Sequence, residues 1–253
     1  MELVDILHGT FSLLFVIISF IIGVTILSKY FKMRNRLLVL VGLTWIGLSF
    51  PWLPDSVSFI MNLFIQQSLS TEWYFIIGNV LLPVPLITWI LAYSDMISRD
   101  RKKLYTGLVL VGSAVFEIIF FALLFIDVTL LGTMTSAFST DFGIFLTVSL
   151  LFTLIIMLVT GLKFAGNSIR SDEKEIRLKG KLLRAAFISF TIAAILEKSA
   201  RSIMLGLVFD NPTNPILSTM LAVVRTLLVL SAFEFYGGFL LPRWMENILS
   251  KKA

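Results

Sequence analysis

The chain has 253 residues, of which 57% are hydrophobic and 15% charged, and its mean hydropathy is +0.94. Soluble domains carry about a quarter charged residues, so this composition excludes an ordinary soluble domain and indicates a bilayer as the solvent. The lack of cysteine excludes disulfides and a thiolate nucleophile, and a single histidine argues against a metal centre.

Long apolar runs of about 20 residues, without the alternation of a barrel strand, predict transmembrane α-helices. The short connections between them predict one all-α domain, a seven-transmembrane helix bundle over residues 1–253. Residues 242–253 are expected to form a short cytoplasmic interfacial tail. The predicted spans, in chain order, are 8–28, 37–53, 73–95, 104–126, 142–164, 183–208 and 216–241.

The first span is expected to be retained rather than cleaved, because acidic residues precede it and basic residues follow it. His8, at its outer end, is interpreted as an interfacial polar residue. Pro51 and Pro54 break the chain after the second span, and the short apolar stretch 57–65 is predicted to lie in the outer interface.

The third span contains Pro83 and Pro85, which remove helical hydrogen bonds and bend the helix. We regard both prolines as hinge candidates for signalling or gating. A static kink is the alternative interpretation.

Orientation follows from the positions of the basic residues, because cytoplasmic connections accumulate lysine and arginine. Eighteen of the 21 lysines and arginines fall in every second connection and in the C-terminal tail, and the other connections contain none. The pattern predicts a plasma-membrane protein with its N-terminus outside and its C-terminus in the cytoplasm. The net charge of +5 is attributed to contact with anionic headgroups at the inner face and not to nucleic acid.

Six charged residues lie in the predicted spans away from the span ends, where each charge costs about 3 kcal/mol or more unless it is paired or hydrated. Glu117, Glu197 and Arg225 fall at similar depths, and Lys198 and Arg201 lie close to that level. We therefore expect these five to converge. Glu234 follows Arg225 by nine residues, which places it on another face and nearer the cytoplasm.

Three interpretations of this cluster remain open. It forms a closed salt-bridge network that fixes helix register, a polar pocket open to the outside, or a proton or ion pathway. The five residues sum to +1, which favours an anionic ligand for the pocket.

The end of the seventh span reads Phe-Tyr-Gly-Gly-Phe-Leu-Leu-Pro-Arg-Trp over residues 235–244. In topology and in this exit sequence, the chain resembles the seven-helix sensory modules that precede histidine kinases in archaea and bacteria. The resemblance implies a prokaryotic receptor-like sensor. Because the sequence ends at Ala253 without an effector domain, we expect it to signal to a separate cytoplasmic partner, with 163–184 as the candidate docking segment.

Two function classes follow. The first is a receptor-like signal-transduction protein that binds a small ligand at the intramembrane charges. The alternative is a small-solute or ion/proton transporter or channel that uses the same charges. No catalytic or metal constellation predicts an enzyme or a cofactor, and a retinal protein is not expected because the seventh span lacks a lysine.

Overall fold

The computed structural model describes the backbone of residues 3–207 and 215–250 and the side chains of residues 6–197 and 219–248. Short turns and three 3-10 segments connect helices and one β-hairpin. The hairpin pairs β1 (Gly132–Ser136) with β2 (Ser139–Phe142). The helices are α1 (Leu3–Met33), α2 (Arg36–Leu48), α3 (Leu53–Ile65), α4 (Thr71–Asn79), α5 (Pro83–Ile97), α6 (Lys102–Ile126), α7 (Ile144–Ile169), α8 (Lys174–Leu207), α9 (Pro215–Leu240) and α10 (Arg243–Ser250).

Six helical segments of the described chain are long and apolar enough to cross a bilayer, which confirms a helical membrane protein. Residues 183–207 of the predicted span 183–208 lie within α8, and the span runs past the residues whose side chains are described. A count of seven spans therefore stays a prediction. The six segments are Ile6–Met33, Arg36–Ile65, Thr71–Ile97, Arg99–Ile126, Ile144–Ile169 and Thr219–Leu240.

The second of these segments consists of α2, a 3-10 turn at Phe50–Trp52, and α3. The predicted break at the two prolines is therefore only a tightened turn. α3 packs along the N-terminal half of α1, whereas the sequence predicts a helix lying in the interface. α1 therefore runs antiparallel to the segment made of α2 and α3. The contacts in order along that segment are Gly42 with Gly23, Trp52 with Phe15, Asp55 with Ser12, and Phe59 with Gly9.

Aromatic side chains fill the centre of the bundle, where α8 and α9 pack closely and α1, α2, α5 and α7 surround them. Trp45 of α2 stacks on Phe235 of α9 with ring centroids 4.3 Å apart. Trp89 of α5 lies 4.9 Å from Phe187 of α8. Helices approach closely there because small residues face the rings, and a Cβ at Gly161 would come within 2.5 Å of Phe187.

Helix α6 is peripheral. It packs mainly on α5, and Phe120 and Leu124 are its only buried residues. An apolar helix with so little buried surface is stable in lipid but not in water. Most of α6 therefore faces the bilayer.

The hairpin folds over one end of the bundle, which we call the acidic end. Phe138, next to β2, is fully buried and meets Phe59 of α3 edge-on at 5.7 Å. The predicted span 142–164 starts slightly too early, because Phe142 pairs with Gly132 as the last residue of β2. The flanking Gly143 approaches the backbone of Leu130 so closely that a Cβ would clash.

The opposite end, which we call the basic end, gathers the connections after α1, α5 and α7 around one cleft. Asp95 binds Arg36 and Lys102 there, with 2.6 Å between Lys102 Nζ and Asp95 Oδ1. The segment 163–184 is mostly helical, because α7 ends at Ile169 and α8 begins at Lys174. The connection is four residues long, much shorter than the loop expected from the sequence.

Candidate functional site

Arg225 lies at the centre of a buried group of charges near the acidic end. Its side chain, on α9, is completely inaccessible. Its Nη2 is 2.8 Å from Oε1 of Glu197 on α8, 3.6 Å from Oδ2 of Asp55 on α3, and 3.2 Å from Nε2 of His8 on α1. One guanidinium nitrogen thus joins four helices. We refer to Arg225, Glu197, Asp55 and His8 as the Arg225 cluster.

Asp55 is held by neutral hydrogen-bond donors as well as by Arg225. Tyr74 OH donates to its Oδ1, and Ser12 Oγ donates to its Oδ2 at 3.2 Å. Thr140, on the hairpin, donates to Tyr74 OH at 3.3 Å, which extends the hydrogen-bond network to the hairpin. The local sequence explains the position of Asp55. Pro54 lies in the first turn of α3, where the missing N–H costs nothing, and the carboxylate follows at the positive end of the helix dipole.

Glu197 is fixed by Trp52, whose Nε1 donates to both carboxylate oxygens at 2.9 and 2.8 Å. The same indole ring lies 5.9 Å from the guanidinium carbon of Arg225, within the range of a cation–π contact. Phe15 meets Trp52 edge-on at 5.0 Å and encloses it. Trp52 therefore orients the Glu197 carboxylate and contacts the Arg225 guanidinium.

The charges of the cluster do not balance. Two carboxylates face one guanidinium, which gives −1 when His8 is neutral. Buried ions are stabilised only by close pairing and full hydrogen bonding. Nε and Nη1 of Arg225, both buried, hydrogen-bond none of the described residues. Among the described side chains, the carboxylates of the cluster therefore outnumber its permanent cation, and Arg225 keeps two donor atoms that no described residue accepts from.

The structure brings together two of the five residues expected to converge, Glu197 and Arg225. Glu117 is separate: it lies on the peripheral helix α6, forms no ion pair with any described residue, and keeps a buried Oε2 without a hydrogen bond. Its predicted place beside Arg225 is therefore wrong in the described structure. The side chains of Lys198 and Arg201 lie outside the described residues.

Glu234 is apart from the cluster, as predicted from its spacing. It accepts a hydrogen bond of 2.6 Å from Ser189 of α8. Pro83 starts α5, and a turn over residues 80–82 separates it from α4. Pro85 packs against Gly47, where a Cβ would lie 2.8 Å from its ring. The hinge role of these prolines stays a prediction.

Sequence reasoning missed His8 and Asp55, which were assigned to the interface and to an outer connection. Both are buried, at 7% and 4% exposure. A signal for His8 was present in α1, because His8, Ser12 and Ser19 recur at helical spacing on one face and all three are buried. A polar stripe inside an apolar span indicates a polar partner.

Among the described residues, no three histidine or acidic side chains converge closely enough to hold a metal ion. No protein-family model, curated protein or solved structure matches this chain. The function is therefore argued from the geometry of the cluster.

Proposed function

We propose that the chain crosses the plasma membrane seven times, with its N-terminus outside and its basic end in the cytoplasm. The positive-inside distribution and the six apolar segments support this topology. The cysteine-free chain allows a direct test by single-cysteine labelling of intact cells. Gln67→Cys, at the acidic end, is expected to react with an impermeant maleimide, and Ser171→Cys only after permeabilisation. The reverse pattern would refute the orientation.

We infer that the protein is a receptor-like membrane sensor, that the Arg225 cluster is its sensing site, and that the ligand is a proton. The observation that carries this inference is the position of His8, within 3.2 Å of Arg225 Nη2 and 3.8 Å of Asp55 Oδ2. Histidine is the side chain that ordinarily changes charge between about pH 5 and 8.

The charge balance favours proton uptake at this place. A net charge is costly in a low-dielectric interior, and a proton on His8 would bring the sum over the four described side chains from −1 to zero. The sequence-based sum of +1 had favoured an anion, and it counted Lys198 and Arg201, whose side chains lie outside the described residues. Among the described side chains, Asp55 from α3 and Arg225 from α9 face His8, with Tyr74 and Glu197 behind them.

Protonation of His8 would weaken its contact with Arg225 and strengthen its contact with Asp55. Neutral His8 accepts a hydrogen bond from Arg225 through Nε2, while its Nδ1 faces Asp55. A protonated imidazole loses that acceptor and repels the guanidinium, whereas its attraction to the Asp55 carboxylate increases. α1 would then hold α3 more strongly and release α9. This is a two-state change of helix partners, the kind of element on which a switch depends.

Helix α8 provides the path to the cytoplasm. Glu197, the closest partner of Arg225, lies on α8, which begins at Lys174 beside the connection 170–173. α8 also packs along α9, where Ser189 donates a hydrogen bond to Glu234. A shift of α9 would therefore move the basic end of α8, where we place the docking of a separate cytoplasmic partner.

The single histidine makes the proposal directly measurable. Protein labelled with ¹³C-histidine gives one imidazole signal, from His8, which can be titrated in nanodiscs. Trp52 is one of five tryptophans, so its fluorescence is followed as the difference between wild type and Trp52→Phe. We expect the histidine signal and the fluorescence to change together between about pH 5 and 8. In His8→Gln the fluorescence change is expected to disappear.

Two intramembrane glutamates give a matched control. Glu197→Gln removes the excess negative charge, so the midpoint of the histidine titration should fall to lower pH. Glu117→Gln, outside the cluster, should leave the midpoint unchanged. Equal effects of the two substitutions, or a fluorescence change that survives His8→Gln, would refute the sensing site.

A proton transporter is the second candidate, and the interruption of the third apolar segment between Asn79 and Pro83 favours it. Transporters often place broken helices beside their ion sites. Proteoliposomes with an internal pH dye separate the two candidates. A sensor gives no flux above empty vesicles, whereas a transporter gives a flux that His8→Gln abolishes.

A further inference from the structure

A lateral groove opens between α6 and α7 on the side of the molecule away from the Arg225 cluster. It arises because α6 and α7 both pack on α5 but diverge from each other. The groove has a volume of about 610 Å³, within the range of about 300–1,000 Å³ that is typical of ligand pockets. It extends from Leu82, near the middle of the bundle, to Lys163, towards the basic end.

The wall of this groove is apolar. Leu86 and Ile90 form its floor, and Phe116 and Phe152 form its sides. Two hydroxyl groups of the wall are occupied within their own helix, since Ser149 donates to the Phe145 carbonyl at 2.8 Å and Thr160 to the Ile156 carbonyl at 2.6 Å. The wall therefore meets an occupant mainly through apolar contact.

The end of the groove has different chemistry. Lys163 lines it, is exposed, and forms no ion pair with any described residue. Tyr93 and Tyr105 line the same end. Lysine and tyrosine at the boundary between hydrocarbon and headgroups are suited to a phosphate and its ester oxygens.

We propose that this groove binds one acyl chain of an anionic phospholipid, with its phosphate at Lys163. Charge complementarity selects this occupant, because an apolar channel that leads to an unpaired lysine matches a chain that ends in a negative headgroup. The outer faces of the two flanking helices support a lipid source. Val111 and Ile118 of α6 and Val148 and Ile155 of α7 lie outside the groove and are each more than half exposed, as in a surface that lies in the bilayer.

Two glycines of α6 make a sharp test possible. A Cβ at either Gly112 or Gly107 would meet nothing within 4 Å, so neither position excludes a side chain at its first carbon, and only Gly112 lines the groove. Gly112→Leu should fill the groove, and Gly107→Leu is the matched control. Thermal melting in detergent checks that both variants fold.

The assay is native mass spectrometry of purified protein with added phosphatidylglycerol or phosphatidylcholine of the same acyl chains. Wild type and Gly107→Leu should retain phosphatidylglycerol preferentially, and Gly112→Leu should bind it about tenfold more weakly because its leucine overfills the site. Lys163→Gln should lower the preference for phosphatidylglycerol about fivefold, while Lys103→Gln should not. Equal binding by the two glycine variants, or a preference unaffected by Lys163→Gln, would overturn the proposal.

Discussion

The pairing of Arg225 with Glu197 predicts strong energetic coupling between these residues. We consider Arg225→Met and Glu197→Gln, alone and combined. In the structure the two side chains are 2.8 Å apart and are 0% and 9% exposed, so solvent screens them little. Removing one member of a buried pair leaves the other charge without compensation.

The magnitudes follow from what each substitution leaves behind. Arg225→Met leaves two buried carboxylates and should lower the free energy of unfolding by about 3–5 kcal/mol. Glu197→Gln should cost about 1–3 kcal/mol, because the amide oxygen still accepts from Trp52 and Arg225 keeps Asp55. When Arg225→Met is already present, Glu197→Gln removes an unpaired charge. The double variant should therefore be more stable than additivity predicts, by about 1–3 kcal/mol.

The measurement is reversible unfolding in mixed micelles with increasing dodecyl sulfate, followed by circular dichroism. Glu117→Gln provides the control cycle, because Glu117 is also intramembrane but shares no partner with Arg225. That cycle should be additive within about 0.5 kcal/mol. Coupling of Arg225 to Glu117 instead of Glu197 would refute the pairing, and additivity in both cycles would show that the cluster is not an energetic unit.

Three further predictions concern packing and surface charge, each measured by the same unfolding assay. Gly42→Leu should destabilise by about 1–3 kcal/mol, because its Cβ would lie 2.7 Å from a carbonyl of α1, whereas Gly107→Leu should not. Trp89→Phe should cost about 1 kcal/mol by losing a 2.7 Å hydrogen bond to a threonine of α7, and Trp244→Phe, at an exposed position, less than about 0.5. Asp95→Asn should cost less than about 1 kcal/mol, and 1 M salt should abolish the difference.

Each of these predictions has a contrary outcome. Equal stability of the two glycine variants would refute the close approach of α1 and α2. Equal effects of the two tryptophan variants would refute the buried hydrogen bond. A salt-independent loss at Asp95 would show that its pairs at the basic end are shielded from solvent.

The Arg225 cluster shows where sequence reasoning reached its limit. Depth in the membrane follows from counting residues along a helix, and the similar depths of Glu197 and Arg225 correctly predicted that they meet. Depth alone also selected Glu117, because residue counting does not reveal that α6 lies at the periphery. Asp55 was assigned to a connection because two prolines precede it, although a 3-10 turn carries the chain through them into α3.

The sequence alone determined that this is a helical membrane protein, and it located six described apolar segments to within a few residues of most of their ends. Hydropathy is a sum over neighbours along the chain, and a bilayer imposes the same requirement on every span. Only the tertiary structure decided which charges meet. Pairing depends on which helices are adjacent and how each is rotated, and a salt bridge is made or lost over about 4 Å. His8 and Asp55, distant in sequence from Arg225, therefore became its partners, while Glu117 did not.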